Sequence, residues 1–397
     1  MKKIAIVTST RAEFGLLSPV IIALREYESN DLKVELLVTG THLSNEYGWT
    51  KDEIEHSGLR IDKEIYVGVN SKQEMDISRN QADVLIKFTE VFCVEHYSGV
   101  VILGDRYEML AVAIAAGNTQ TPIFHLCGGD TTEGAADEWI RHSISKMSYL
   151  HFVTNQESYR RVLQMGESPE RIFNYGSTSI DNILHSATMS KWEALESIGL
   201  SECRYAIGTY HPATLESRDV EKKIREFLDA IKDFPEIEFI VTKSNADLGG
   251  MCINNLLDLA EKEIDNLHVF SSLGMVRYLS LMRHAEFVIG NSSSGIIEAP
   301  TFGIPTVNIG DRQRGRLQAG SIINCESDRQ SISAAIKKAL GEEFWILCKN
   351  VKNPYGDGHA AGRIAEKIVE TVRGKQISLK KKFYDIDVSY ANSSLNK

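Results

Sequence analysis

The chain has 397 residues, with 44 Lys and Arg against 54 Asp and Glu, and carries a formal charge of −10. With 43% hydrophobic and 25% charged residues it has the composition of a globular protein, not of a low-complexity chain. That length predicts two or three domains, each able to bury its own core. No uncharged apolar run is long enough to span a bilayer, and the first one, from Ile4 to Val7, stops at Thr8-Ser9-Thr10-Arg11. It is too short for a signal sequence, so the protein reads as cytoplasmic. The six cysteines show no CxxC spacing, which argues against a zinc or disulfide framework. The acidic balance, with no basic stripe, argues against nucleic acid as a partner.

In chain order, short β-branched apolar runs alternate with longer amphipathic segments. Strands are expected at 3–8, 33–39, 99–103, 121–126, 150–154 and 172–175, and helices at 14–27, 77–96, 107–117 and 156–165. The second half repeats the rhythm, with strands at 205–210, 237–242, 267–270, 287–289 and 306–309. Wholly apolar strands separated by helices predict parallel sheets covered on both faces. The expected fold class is therefore α/β, with two Rossmann-type doubly wound domains facing each other across a cleft. The small polar run Gly176-Ser177-Thr178-Ser179 places the boundary after residue 176. The second domain is then 177–359, and a final helix and tail, 360–397, join the first. The basic run 375–382 reads as a solvated tail.

Ligands of open parallel sheets bind at the carboxyl ends of the strands. After the first strand, Arg11 and small residues at a helix start suit a phosphate group, although Arg11 as a surface residue fits equally. After the third strand, Gly104-Asp105-Arg106 places a carboxylate where a cleft acid or base would sit; capping the next helix is the plain alternative. From His125 to His142 come four carboxylates, two His and an Arg behind Gly128-Gly129, and Asp130 and Asp137 stand among them. In the second half His211 ends a strand. Asn291-Ser292-Ser293-Ser294-Gly295 offers backbone N–H groups as a diphosphate cradle, or simply a Ser cap. Glu298 is placed to accept from ribose hydroxyls, and Arg312, Arg314 and Arg316 add positive charge after the following strand.

Together, Thr10-Arg11-Ala12-Glu13, Val38-Thr39-Gly40-Thr41-His42, Leu103-Gly104-Asp105-Arg106-Tyr107-Glu108, Ile140-Arg141-His142, Tyr210-His211-Pro212, residues 290–298 and Asp311-Arg312-Gln313-Arg314-Gly315-Arg316 form one ordered set. The set resembles the hydrolysing UDP-N-acetylglucosamine 2-epimerases of bacterial sialic-acid synthesis, through nearly the whole chain. The resemblance implies a GT-B-like pair of Rossmann domains, a UDP-sugar as substrate, no metal or redox cofactor, and a homo-oligomer, dimer or tetramer. It implies elimination of UDP across C1–C2 to a 2-acetamidoglucal, then hydration to free N-acetylmannosamine. By motif, Asp105 and Asp137 match catalytic carboxylates. Arg11, Arg106, His211, Ser292, Ser293, Glu298 and Arg312 match positions that hold UDP, and Asn245 and Asp247 match a further loop lining the cleft. One departure stands out. Cys127 occupies a position where some relatives carry a catalytic Glu, so Asp130 is assigned that role. The same chemistry on a UDP-2,4-diacetamido-2,4,6-trideoxyglucose is the nearest alternative, and a glycosyltransferase of the same architecture the alternative from a different class.

Overall fold

The first strand, β1 (Lys2–Thr8), is solvent-free from Ile4 to Val7, and its side chains go alternately to two separate cores. Ile4 and Ile6 join Leu17, Ile21, Val34 and Leu36, whereas Ala5 and Val7 join Phe88, Val100, Ile102 and Val112. A strand apolar on both faces needs helices on both sides, and a parallel sheet supplies them through its crossovers.

The computed structural model describes residues 1–45, 49–69, 74–131, 136–186, 188–211, 220–244, 250–374 and 377–386. The chain divides into two units, Met1–Asn182 with Gly358–Lys397, and Ile183–Asp357. After β1 the first unit runs α1 (Arg11–Arg25), β2 (Leu32–Thr39), α2 (Lys51–His56), β3 (Lys63–Ile65), α3 (Glu74–Glu95), β4 (Gly99–Leu103) and α4 (Tyr107–Asn118). It continues through β5 (Ile123–Leu126), α5 (Ala136–Met147), β6 (Leu150–Val153), α6 (Gln156–Gln164), β7 (Ile172–Asn174) and α7 (Thr178–Ser186), inside which the units divide. The second unit runs α8 (Lys191–Glu196), β8 (Tyr205–Thr209), α9 (Val220–Ile231), β9 (Glu238–Thr242), α10 (Gly250–Ala260), β10 (Leu267–Phe270) and α11 (Gly274–His284). β11 (Phe287–Gly290), α12 (Ser293–Ile297), β12 (Thr306–Ile309), β13 (Ile322–Cys325), α13 (Arg329–Ala339) and α14 (Glu342–Lys349) follow, and α15 (Ala360–Arg373) belongs to the first unit.

Both sheets are parallel throughout. Their orders are β3-β2-β1-β4-β5-β6-β7 and β10-β9-β8-β11-β12-β13. Each therefore reverses its winding once, between β1 and β4 and between β8 and β11, and opens a crevice there at the strands' carboxyl ends. The second unit repeats the two-faced core. Ala206, Phe239, Val241 and Ile289 face one side, and Tyr205, Ile207, Ile240 and Val288 the other.

The strands expected from sequence all form, shifted by at most two residues, and the short edge strands β3 and β13 join them. The helix expected from residue 14 begins at Arg11, because Thr10 caps it and Glu13 closes a capping box. The polar stretch ending at His142 becomes helical from Ala136. α15 packs its Ile364, Ile368 and Val372 into the first unit's core, and the Asp181 carboxylate accepts from the amides of Ala360 and Ala361 at 3.3 and 2.9 Å. In the basic tail Lys380 and Lys382 are exposed, as expected, but Lys381 turns inward. Lys381 pairs with buried Glu167 at 2.6 Å and donates to the carbonyls of Lys146 and Ser148, while Phe383 lies against Gly166. No helix among the described residues is long and apolar enough to cross a membrane.

Candidate active site

The turn after β1 is built around Glu13. Its Oε2 accepts from the Ser9 amide at 2.8 Å, the Ser9 hydroxyl at 2.7 Å and the Thr10 amide at 3.2 Å. At the helix start that sequence alone offered to a phosphate, the Ser9 and Thr10 amides are thus taken by the chain's own carboxylate. Burial pushes the Glu13 carboxyl up to about 7, and its Oε1 is buried with no hydrogen-bond partner. Arg11 itself is largely exposed and pairs with Glu53 at 2.9 Å. Next to this turn, His42 spans Thr8 Oγ1 at 3.0 Å and Thr50 Oγ1 at 2.8 Å, and burial lowers it to about 4.

After β4, Asp105 is salt-bridged to Arg141 of α5, and Arg106 makes a two-pronged pair with buried Glu108 at 3.0 and 3.1 Å. Arg141 is only 4% exposed and also donates to the Asp130 carbonyl at 2.8 Å. One guanidinium therefore ties the loop after β4 to the loop after β5. In β5 itself, His125 donates through Nε2 to the Gly104 carbonyl at 3.0 Å, and burial lowers it to about 3, so it stays neutral. Asp130 accepts from Thr154 at 2.8 Å and Ser158 at 2.5 Å, yet burial raises its carboxyl above the usual range. Gly129, at φ +81°, is required here, since a Cβ would sit 2.3 Å from the Ser158 carbonyl. Cys127 holds a left-handed φ of +62°, and burial pushes its thiol up. A thiol kept neutral in this way does not replace a carboxylate. Asp137 is exposed in the first turn of α5.

In the second unit the ends of β8 and β11 meet. Asn291 accepts from the His211 amide at 2.6 Å and donates to the His211 carbonyl at 2.8 Å, and His211 Nδ1 lies 3.1 Å from Ser244 Oγ. Gly290 lets the two strands approach, because a Cβ there would lie 2.2 Å from the Thr209 carbonyl. Ser292 caps α12, accepting from the Ser294 amide, and Ser293 begins that helix. Arg312 Nη1 donates to the Asn291 carbonyl at 3.1 Å. Glu298 ends α12, and burial alone raises its carboxyl to about 7.

The structure thus gathers Asp105 and Asp130 around Arg141 in one unit, and His211, Ser292 and Arg312 around Asn291 in the other. Arg11 opens α1, Arg106 is the cap residue before α4 and Asp137 lies in the first turn of α5, each on a connection that follows a strand of the first sheet. Asn245 and Asp247 lie outside the described residues. Sequence reasoning quoted Arg141 and Glu13 within motifs but gave neither a role. The signals were present: Thr10-x-x-Glu13 is a capping box, and Arg141 stands three residues after Glu138 on one helix face.

A sequence profile of the family described as UDP-N-acetylglucosamine 2-epimerase matches residues 25–369. The chain belongs to that family. It is therefore an enzyme acting on nucleotide sugars. The chain is 36% identical over 387 residues to the polysialic acid biosynthesis protein P7 of Escherichia coli, covering 97% of this chain and 98% of that one. It is 40% identical over 347 residues to the hydrolysing GDP/UDP-N,N'-diacetylbacillosamine 2-epimerase of Campylobacter jejuni, covering 86% and 88%. The crystal structure of the Neisseria meningitidis UDP-GlcNAc 2-epimerase bound to UDP-GlcNAc shares the fold, at TM-score 0.78 and 19% identity, covering 93% of this chain and 100% of that one.

Proposed function

We propose that this member of the family converts UDP-N-acetylglucosamine and water to N-acetylmannosamine and UDP, for sialic-acid synthesis, as a cytoplasmic homo-oligomer. The observation that carries the reading is Arg141, which pairs with the Asp105 carboxylate and holds the backbone carbonyl of Asp130, whose own carboxyl burial raises. Two carboxyls with such different surroundings suit one base and one acid.

The chemistry sets the order of events. The C2 proton has no neighbouring carbonyl and is not acidic until positive charge builds at C1. UDP departure therefore runs ahead of deprotonation. Arg11, Arg106, His211, Ser292, Ser293 and Arg312 stabilise the leaving diphosphate, Asn245 and Asp247 add to UDP binding, and Glu298 accepts from the ribose. Donors fixed in advance at a developing anion are worth ~3 kcal/mol each. Asp105 stabilises the oxocarbenium-like state and takes the C2 proton. Asp130, whose carboxyl burial raises, and Asp137 serve the addition of water to the glycal.

In D₂O the released sugar should be the manno epimer carrying deuterium at C2, with UDP free. Unlabelled gluco sugar would refute elimination, and a manno sugar still joined to UDP would refute hydrolysis. The Campylobacter relative's name favours a second reading, the same reaction on a UDP-diacetamido-trideoxyhexose. Turnover of each nucleotide sugar supplied separately decides between them.

A further inference from the structure

Three loops of the second unit meet on Asn291, which is 4% exposed. Its side chain clamps the backbone of His211 from both sides, at 2.6 and 2.8 Å. Its own carbonyl accepts twice, from Arg312 Nη1 at 3.1 Å and, more closely, from Gln313 Nε2 at 2.7 Å. Gln313 is 2% exposed, and its other amide atom, Oε1, is buried with no hydrogen-bond partner.

We propose that Gln313, acting through Asn291, is a positioning residue for the nucleotide diphosphate: it fixes the Asn291 peptide and so keeps His211, Ser292 and Arg312 in register. The inference rests on the reading of this unit as the UDP-binding one. Burying an amide oxygen without a donor opposes folding, and an apolar side chain of the same length would fill the space without that penalty. What the apolar side chain lacks is the bond to the Asn291 carbonyl. A carbonyl has two acceptor positions, and with Gln313 on one, Arg312 is held on the other without being the sole tether of the loop. Removing the Gln313 bond leaves the peptide to be ordered when the diphosphate binds, and affinity falls by that ordering cost.

The test uses the full chain and UDP itself, with calorimetry, steady-state kinetics and thermal melting. Gln313→Met keeps length and removes both polar atoms. It should weaken UDP binding and raise KM by about 5-fold, the worth of one neutral hydrogen bond, with kcat within about twofold. Its Tm should be unchanged or higher. Gln313→Glu should weaken UDP further, since an ionised carboxylate has no donor for the Asn291 carbonyl and sets two acceptors against each other. Unchanged UDP affinity in Gln313→Met overturns the proposal. A weakened affinity accompanied by a lower Tm, or failure of the variant to fold, also overturns it, because the role is then structural. Absence of UDP binding by the unsubstituted chain would instead strike the nucleotide reading on which the proposal rests.

Discussion

Glu298 offers the sharpest physical test, because burial alone accounts for its shift, from an ordinary 4.5 to about 7. At about 1.4 kcal/mol per pH unit, a rise of that size corresponds to roughly 3 kcal/mol. In the unfolded chain the carboxyl gives up its proton near pH 4.5, whereas in the folded unit it keeps it until near 7. Between those values the native state binds more protons, so stability falls as pH rises. The contribution is fully present below the unfolded value and is lost once the pH passes the folded one. Glu298→Gln keeps the shape and stays neutral at every pH. The variant should therefore match the parent near pH 4 and exceed it by about 2–3 kcal/mol at pH 8. Urea unfolding of the second unit reads this directly, since Trp192 and Trp345 both lie in Ile183–Asp357. The same variant should bind UDP more weakly than the parent at pH 8, where an ionised Glu298 accepts from the ribose, and the gap should narrow toward pH 5. A stability difference independent of pH would refute the reasoning, because the carboxylate would then be solvated or paired in the folded chain.

Two further outcomes are expected from the Arg141 network. Asp105→Asn should cut turnover by at least ~100-fold while UDP binds as before, the usual loss for a missing base; near-normal turnover would reduce Asp105 to a cap. Arg141→Met should destabilise the first unit by about 2–4 kcal/mol in urea unfolding followed through Trp139, because two charge-assisted bonds are lost from a residue 4% exposed. A change under about 0.5 kcal/mol would mean that the loops after β4 and β5 hold themselves without it.

The order of strands and helices was legible because a doubly wound sheet leaves the plainest mark a sequence can carry, apolar runs at strand length between amphipathic segments at helix length. β3 and β13 left no such mark: at a sheet edge, Lys63-Glu64-Ile65 needs only one apolar residue to be held by its neighbour. α5 was obscured for a different reason. Its carboxylates and histidines suggested chemistry, while the helical spacing that joins Glu138 to Arg141 and His142 lay among them unnoticed.

Residue types near the strands' carboxyl ends were likewise readable, since topology forces the loops of a parallel sheet to that edge. Asp105, Asp130, His211, Ser292 and Arg312 could all be named from where strands stop. Their neighbours could not. Arg141 reaches Asp105 across 36 residues of chain, and Asn291 reaches His211 across 80. Glu13 occupies amides at the helix start that the sequence offered to a phosphate, and Lys381 leaves solvent for Glu167. Periodicity and turn chemistry act over a few residues, so the sequence alone determined the architecture and the edge at which function would sit. Which charges are paired, which carboxyls are raised and which backbone groups remain for a ligand depend on burial and on partners distant in the chain. Those properties exist only once both faces of each sheet are packed, and the tertiary structure alone decided them.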